Sequence, residues 1–189
     1  MSHAIIGLAG RKRTGKDTFA AVLCDEYGFT RVAFADALKE AALALDPIIS
    51  PNGPGRVGRL GFYVDMLGWE TAKEHSEVRR TLQRYGVGIR DIDPRFWIRA
   101  AERAIQAADG PVVITDVRFQ NEADAVEDMG GFVIRLTRPG LDMSDSHASE
   151  AGVDALDVGI DIANDSDVEA LRRVARAFGQ AVADERATV

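Results

Sequence analysis

The 189-residue sequence predicts an α/β domain in which one five-stranded parallel sheet lies between helical layers, and three observations carry that prediction. Short apolar, β-rich runs alternate with stretches of helical period along the chain, the order that builds βαβ units. The first run leads through Gly10, four residues and Gly15-Lys16 into a helical stripe, which is the spacing of a phosphate-binding loop. A third run, Pro111 to Thr115, ends in Asp116, as expected of a buried parallel strand that delivers an acid to the carboxyl edge of its sheet.

The loop Gly10-Arg11-Lys12-Arg13-Thr14-Gly15-Lys16 follows the apolar Ile5 to Ala9 and precedes the stripe Phe19, Val22, Leu23 and Tyr27. Its glycines let backbone N–H groups turn inward around an anion that also faces a helix N-terminus and the Lys16 ammonium. A polyphosphate is the expected ligand. Asp17 stands where a Ser or Thr hydroxyl commonly ligates magnesium, with Thr18 behind it. A carboxylate is a hard oxygen donor suited to Mg²⁺, and a first-turn Asp is also favoured by the helix dipole, by roughly 0.3–1 kcal/mol. Both readings of Asp17 stand on sequence alone.

Further on, Phe29 to Ala35 reads as a second strand and Leu38, Ala41, Ala42 and Leu45 as the stripe of a helix. Asp36 is placed either to cap that helix or to face a ligand at the strand's carboxyl end, and Lys39 sits one turn later. Pro47 to Gly61 is rich in Pro and Gly and reads as a loop. Within it, Gly53 to Gly58 matches a GxGxxG string, rejected as a dinucleotide site because no strand precedes it and no helix clearly follows.

Val78, Leu82 and Tyr85 mark a helix that carries Arg79, Arg80 and Gln83 on another face; solvent-exposed salt bridging is the plain reading of those arginines. Phe96-Trp97-Ile98 begins a helix to about Ala108, and Asn121 to Met129 forms another. Phe132 to Thr137 is the fourth strand of the sheet, followed by Arg138-Pro139-Gly140, and the polar Leu141 to Glu150 looks like a lid loop. Gly159 to Ala163 is the fifth strand, and Ser166 with Glu169 reads as a capping box before a stripe of Val168, Leu171, Val174, Ala175, Phe178 and Val182.

Composition narrows the partners. A formal net charge of −7 argues against wholesale binding to a nucleic-acid backbone, whose affinity comes from clustered cations. Cys24 is the only cysteine, which fits a reducing cytosol. No apolar run approaches a membrane span and no signal-peptide pattern opens the chain, so a soluble, cytoplasmic protein is expected. His3, His75 and His147 lack metal-ligand spacing.

In this order, Lys12 to Thr18, Ala35 to Lys39, Val78 to Gly86, Phe96-Trp97, Thr115 to Arg118, Arg135 to Gly140, His147 to Gly152 and Ala163 to Asp165 resemble the phage-type deoxynucleoside monophosphate kinases of the P-loop superfamily. The resemblance implies a three-layer α/β/α kinase domain with a monophosphate-binding segment over roughly 36–100 and a lid over roughly 138–152. It implies transfer of the ATP γ-phosphate to a deoxynucleoside monophosphate, with ATP and Mg²⁺ as cofactors. ATP would be held by Arg13, Thr14, Gly15, Lys16, Asp17 and Thr18, with adenine near Asn164 and Mg²⁺ at Asp17. The acceptor would lie among Lys12, Asp36, Lys39, Arg79, Gln83, Gly86, Trp97, Asp116, Arg118 and Glu150. Lys16, Asp116 and Arg138 would carry catalysis.

The partners implied are small nucleotides, with no nucleic acid or membrane, and a homodimer is left open. Phosphomevalonate and dephospho-coenzyme A kinases share the scaffold and are the competing enzyme reading. A nucleotide-dependent switch is the competing binding-module reading. Trp97 favours a base-containing acceptor, because an aromatic face can stack on a nucleobase, although core packing is the more frequent fate of a Phe-Trp pair.

Overall fold

The structure, a computed structural model, describes residues 4–50, 57–141 and 152–188. In chain order, β1 (Ile5–Ala9) leads to α1 (Lys16–Tyr27), then β2 (Thr30–Val32), α2 (Phe34–Leu45), the short strands β3 (Ile48–Ile49) and β4 (Gly58–Arg59), and α3 (Leu60–Ala72). There follow α4 (Ser76–Ile92), α5 (Phe96–Gln106), β5 (Val112–Val117), α6 (Gln120–Asp128), β6 (Phe132–Thr137), a 3₁₀ turn at Gly152–Ala155, β7 (Ile160–Ala163) and α7 (Val168–Ala187). The chain divides into two compact units, one formed by residues 1–34 with 101–189 and the other by 35–100.

The first unit is built on a five-stranded sheet in the order β2-β5-β1-β6-β7, with every pairing parallel. Side chains alternate across a strand, and β1 uses both faces. Ile6 and Leu8 pack with Phe19 and Leu23 of α1 and with Leu171, Ala175 and Val182 of α7. On the other face, a Cβ at Gly7 would lie 3.0 Å from Val133 and 3.5 Å from Val126 of α6. Burial on both faces explains why β1, β5 and β6 read as near-continuous apolar runs. The site follows from this topology, since β1 is central and its carboxyl end lies beside those of β5 and β6, the edge at which open parallel sheets bind ligands.

The second unit takes α2 from Ala35 onward, the β3–β4 pair, α3, α4, and α5 as far as Ala100. Its core gathers Ala42, Ile49, Leu60, Ala72, Val78 and Leu82, with Leu38, Tyr63, Trp69 and Tyr85 packed against them. Two carboxylates tie down its irregular connections: Glu77 accepts from the Ser50 N–H at 2.6 Å and Asp46 from the Gly61 N–H at 2.8 Å.

Several sequence expectations are corrected here. The second strand stops at Val32, and helix α2 begins at Phe34, so Asp36 lies in its first turn and is not its cap. Helix α3 occupies residues that gave no periodic signal, and its backbone leaves helical geometry at Gly68. A helix therefore does follow the GxGxxG string, but its last glycine, Gly58, pairs antiparallel with Ile49, which is not the parallel βαβ setting of a dinucleotide site. The N-cap of α7 is Asp167, whose carboxylate accepts from the Ala170 N–H at 2.7 Å, one residue later than the Ser166 box. Glu169, the other half of that box, pairs with Arg172 and Arg176 instead; the Arg176 hydrogen bond holds its carboxyl below the usual range. The expected lid residues 142–151, Glu150 among them, lie outside the described residues. Among the described residues no helix is long and apolar enough to cross a membrane.

Candidate active site

The loop after β1 is shaped by three positive φ angles within six residues: Gly10 at 141°, Arg13 at 67° and Gly15 at 105°. Such angles turn successive amides toward one side of the chain, the geometry of an anion nest. Both glycines are required by space as well as by angle. A Cβ at Gly10 would stand 2.4 Å from the Leu136 carbonyl oxygen, and one at Gly15 would stand 2.6 Å from Leu171 Cδ2 and 2.8 Å from Asn164 Nδ2.

The loop is also bonded to itself. The Arg11 carbonyl accepts from the Thr14 N–H at 3.3 Å and from Thr14 Oγ1 at 2.9 Å. Lys16 Nζ donates to the carbonyls of Gly10 at 2.6 Å and Arg11 at 2.8 Å, so the ammonium is held at the loop's own oxygens. Thr14 is 2% exposed, while Lys12 and Arg13 are exposed. Asp17 is exposed in the first turn of α1, and no hydrogen bond or ion pair among the described residues engages its carboxylate. It lines an open groove of about 530 Å³ with Thr18, Asp25, Glu26, Arg172 and Arg176.

Asn164, expected near a nucleobase, has a different immediate task. Its side-chain amide donates to the Thr14 carbonyl at 3.0 Å and its backbone N–H to the Thr137 carbonyl at 2.7 Å. The residue thereby joins the end of β7 to the phosphate loop. Beside it is a small cleft of about 160 Å³ lined by Asn164, Asp165, Ser166, Ala170, Leu171 and Val174.

Asp116 lies near the end of β5, next to β1. Its Oδ1 accepts from the Phe34 N–H at 2.8 Å, so the acid expected at the sheet edge also caps α2, the role that sequence had offered to Asp36. Arg118, half-buried, and Phe119 donate their backbone N–H groups to the Glu122 carboxylate at 2.9 and 3.3 Å, which fixes the turn into α6. Arg138 is exposed just beyond β6 and makes no hydrogen bond or ion pair among the described residues.

In the second unit, Lys39 pairs with Asp36 at 3.3 Å, and the exposed Arg79 reaches the carbonyls of Lys73 and Glu74 at 3.4 and 3.5 Å. Arg79, Gln83 and Gly86 recur on one face of α4 at helical spacing. Trp97 is 4% exposed, donates Nε1–H to the Gly86 carbonyl at 3.1 Å, and packs edge-on against Phe96 and Tyr85. In this structure it is a packing residue that fixes α5 against α4, and it presents no face for stacking.

Sequence reasoning passed over Asp154. Its carboxylate takes a forked set of bonds from Arg11, at 2.7 Å from Nη2 and at 3.0 and 3.2 Å from Nε. Partners 143 residues apart leave no local pattern to find. Arg135 reads from sequence as a strand residue and as the start of the Arg135 to Gly140 segment, without a partner; its guanidinium bonds Asp161 across the β6–β7 ladder and the carbonyls of Asp154 and Leu156.

Comparison with known proteins supplies what geometry leaves open. A family model described as deoxynucleotide monophosphate kinase matches residues 64–174, more than half of the chain. A relative in Acanthamoeba polyphaga mimivirus, named for the same activity, is 33% identical over 169 residues, covering 77% of this chain and 80% of the relative. The deoxynucleotide monophosphate kinase of Enterobacteria phage T4 is 32% identical over 100 residues, or 50% of this chain and 42% of that protein. Among solved structures, TT1252 from Thermus thermophilus superposes with a TM-score of 0.51 at 15% identity, covering 94% of this chain and 97% of the other, a likeness of fold alone. The family match begins well after residues 10–16, so the loop geometry lies outside the matched span. With Asp116, Arg118, Arg138 and Asn164 all inside the matched span, the chain belongs to the deoxynucleotide monophosphate kinase family and is a phosphotransferase.

Proposed function

We propose that the protein transfers the γ-phosphoryl group of ATP to the phosphate of a deoxynucleoside monophosphate, giving ADP and a deoxynucleoside diphosphate. The observation that carries this reading is the self-bonded loop at Gly10–Lys16, a ready-made polyphosphate cradle in a chain of this family. An ammonium resting on two carbonyl oxygens can exchange them for phosphate oxygens, so Lys16 moves from a loop-closing contact to a ligand contact. The cleft beside Asn164, at the end of β7, suits the base of ATP. Asn164 supports it indirectly, by holding Thr14.

For the acceptor, the first unit offers the cations Lys12 and Arg118 with Asp116 as a hydrogen-bonding group, and the second unit offers the cations Lys39 and Arg79 with Asp36 and Gln83. Trp97 and Gly86 act through the packing of the second unit. Two phosphate-bearing substrates repel each other, and the transferring group passes through a loose transition state. Catalysis is therefore positioning and charge neutralisation, with Lys16 and Arg138 as the cations that meet the phosphates.

The donors present fit a magnesium–nucleotide complex. Among the described residues no group of three or more His, Cys, Asp or Glu could hold a metal alone. Mg²⁺ characteristically takes one or two carboxylates and completes its shell with water and substrate phosphate. Asp17, whose carboxylate no described residue engages, would be the residue that holds it, and the bound metal would supply positive charge to the phosphates. ADP release measured against each deoxy- and ribonucleoside monophosphate tests the proposal. Turnover that depends on a deoxynucleoside monophosphate is expected, and ADP release indifferent to every acceptor would refute it.

A further inference from the structure

We propose that Arg11 and Asp154 form a positioning pair that keeps the phosphate-loop backbone in its nucleotide-binding conformation; this rests on the reading of residues 10–16 as the ATP-phosphate cradle. Arg11 is the hub of the loop. Its carbonyl oxygen receives the Thr14 N–H, Thr14 Oγ1 and Lys16 Nζ at 3.3, 2.9 and 2.8 Å. When a phosphate draws Lys16 away, the two Thr14 bonds still hold that oxygen, and the loop keeps its shape if residue 11 stays where it is. The side chain provides that restraint, because a planar guanidinium forked onto one carboxylate is fixed in direction as well as distance.

Asp154 is itself immobilised. The 3₁₀ turn that carries it is anchored by Val153, 1% exposed, and Leu156, 5% exposed. Arg135 Nη1 donates to the carbonyls of Asp154 and Leu156 at 2.9 and 2.8 Å, and its Nε and Nη2 pair with Asp161, its cross-strand neighbour. The rigidity of the β6–β7 ladder is thus passed through Arg135 and Asp154 to Arg11 and the loop.

Charge argues in the same direction. The Arg11 side chain is 14% exposed and already matched by a carboxylate, so its positive charge is spent on Asp154 and not offered to an incoming anion. Arg11 is therefore a positioning residue, and Lys16 of the same loop is the cation that meets the phosphates. Asp154 itself remains 46% exposed, so its contribution to global stability is small.

The test is titration calorimetry with ATP, together with thermal melts and steady-state kinetics, on the full chain. The variants are Arg11→Ala, Asp154→Ala, Asp154→Glu and the double Arg11→Ala/Asp154→Ala. Releasing the pair lowers the fraction of molecules with a competent loop, and apparent affinity falls by that fraction, by about five- to tenfold for each alanine variant. The KM for ATP should rise by the same factor while kcat at saturation changes little. The double variant should lose no more than the worse single one, because both remove one interaction. Asp154→Glu should recover part of the loss.

The proposal is overturned if Asp154→Ala binds ATP as well as or more tightly than the wild type, the outcome expected of an Arg11 that is itself a phosphate ligand. It is overturned equally by additive losses, or by a lowered melting temperature with unchanged affinity. A wild-type chain that binds no ATP would overturn this inference and the kinase reading together, whereas a wild type that binds beside an indifferent Asp154→Ala overturns this inference alone.

Discussion

The Asp116 carboxylate at the end of β5 and the backbone N–H of Phe34 at the start of α2 are joined by a 2.8 Å hydrogen bond, although 82 residues separate them in sequence. One side chain thus satisfies a first-turn amide of a helix and places a negative charge at that helix's positive end. Replacing Asp116 with Ala should remove the cap and lower stability by about 0.5–2 kcal/mol. Asp116→Asn keeps an oxygen acceptor and should recover most of that loss. If Asp116 also serves phosphoryl transfer, both variants should fall in kcat/KM by about a hundredfold or more, since the charge is absent from each. Chemical denaturation and acceptor kinetics on the same samples separate the roles; an Asp116→Asn protein with wild-type turnover would leave the residue as a helix cap only.

Lys16 rests on the Gly10 and Arg11 carbonyls, contacts that close the loop. Lys16→Ala should leave a folded protein, with a melting temperature within a few degrees of the wild type. Its phosphoryl transfer should drop by about three orders of magnitude or more, mainly in kcat, because the interaction lost is one that strengthens as charge shifts during transfer. Near-normal turnover by the folded variant would remove the loop from catalysis.

Gly15 and Gly140 separate angle from space. Both have positive φ, 105° and 75°, but a Cβ at Gly15 would meet Leu171 and Asn164 below 3 Å, whereas no described residue lies within 4 Å of one at Gly140. Gly140→Ala should therefore cost only the angular penalty, roughly 1–2 kcal/mol. Gly15→Ala adds overpacking, typically about 1–3 kcal/mol more, and displaces Asn164, which holds Thr14. ATP binding should be lost in Gly15→Ala and retained in Gly140→Ala. Retention in both would mean that the loop tolerates a shift at Asn164.

What could be read in advance was local or strongly periodic. The phosphate loop carries its glycines, lysine and flanking elements within one short stretch, and parallel strands buried on both faces reveal themselves as apolar runs. Helix α3 was not legible, because Phe62 and Met66 face outward at 58% and 64% exposure while Gly61 and Gly68 interrupt the segment. Apolar residues on both faces erase the helical period on which such a reading depends. The cap of α2 and the anchor of Arg11 were hidden for another reason. Asp116 and Asp154 act across the fold, and the nearer candidate, Asp36, is drawn to Lys39. At α7 the chain offered Ser166 and Asp167 in succession, and the carboxylate, a stronger acceptor than a hydroxyl, took the cap.

Arg118 gives the sharpest test of the acceptor side. The turn it occupies is secured by main-chain bonds, since the Glu122 carboxylate accepts from the N–H groups of residues 118 and 119. An alanine at 118 retains both bonds, so Arg118→Ala should keep the turn into α6. What it deletes is a guanidinium near the carboxyl end of β5, two residues after Asp116. A cation that receives the acceptor phosphate contributes charge-assisted bonds that a water molecule cannot replace in a closed site. The expected loss in kcat/KM for the deoxynucleoside monophosphate is therefore about two orders of magnitude, roughly 3 kcal/mol. ATP affinity should be little changed. Arg118→Lys should restore charge without the fork and recover only part of the rate. Kinetics with the monophosphate varied at saturating ATP, beside ATP titration and a thermal melt, read all three quantities. An unchanged monophosphate rate would take Arg118 out of the site, and a matching loss of ATP affinity would move it to the donor side.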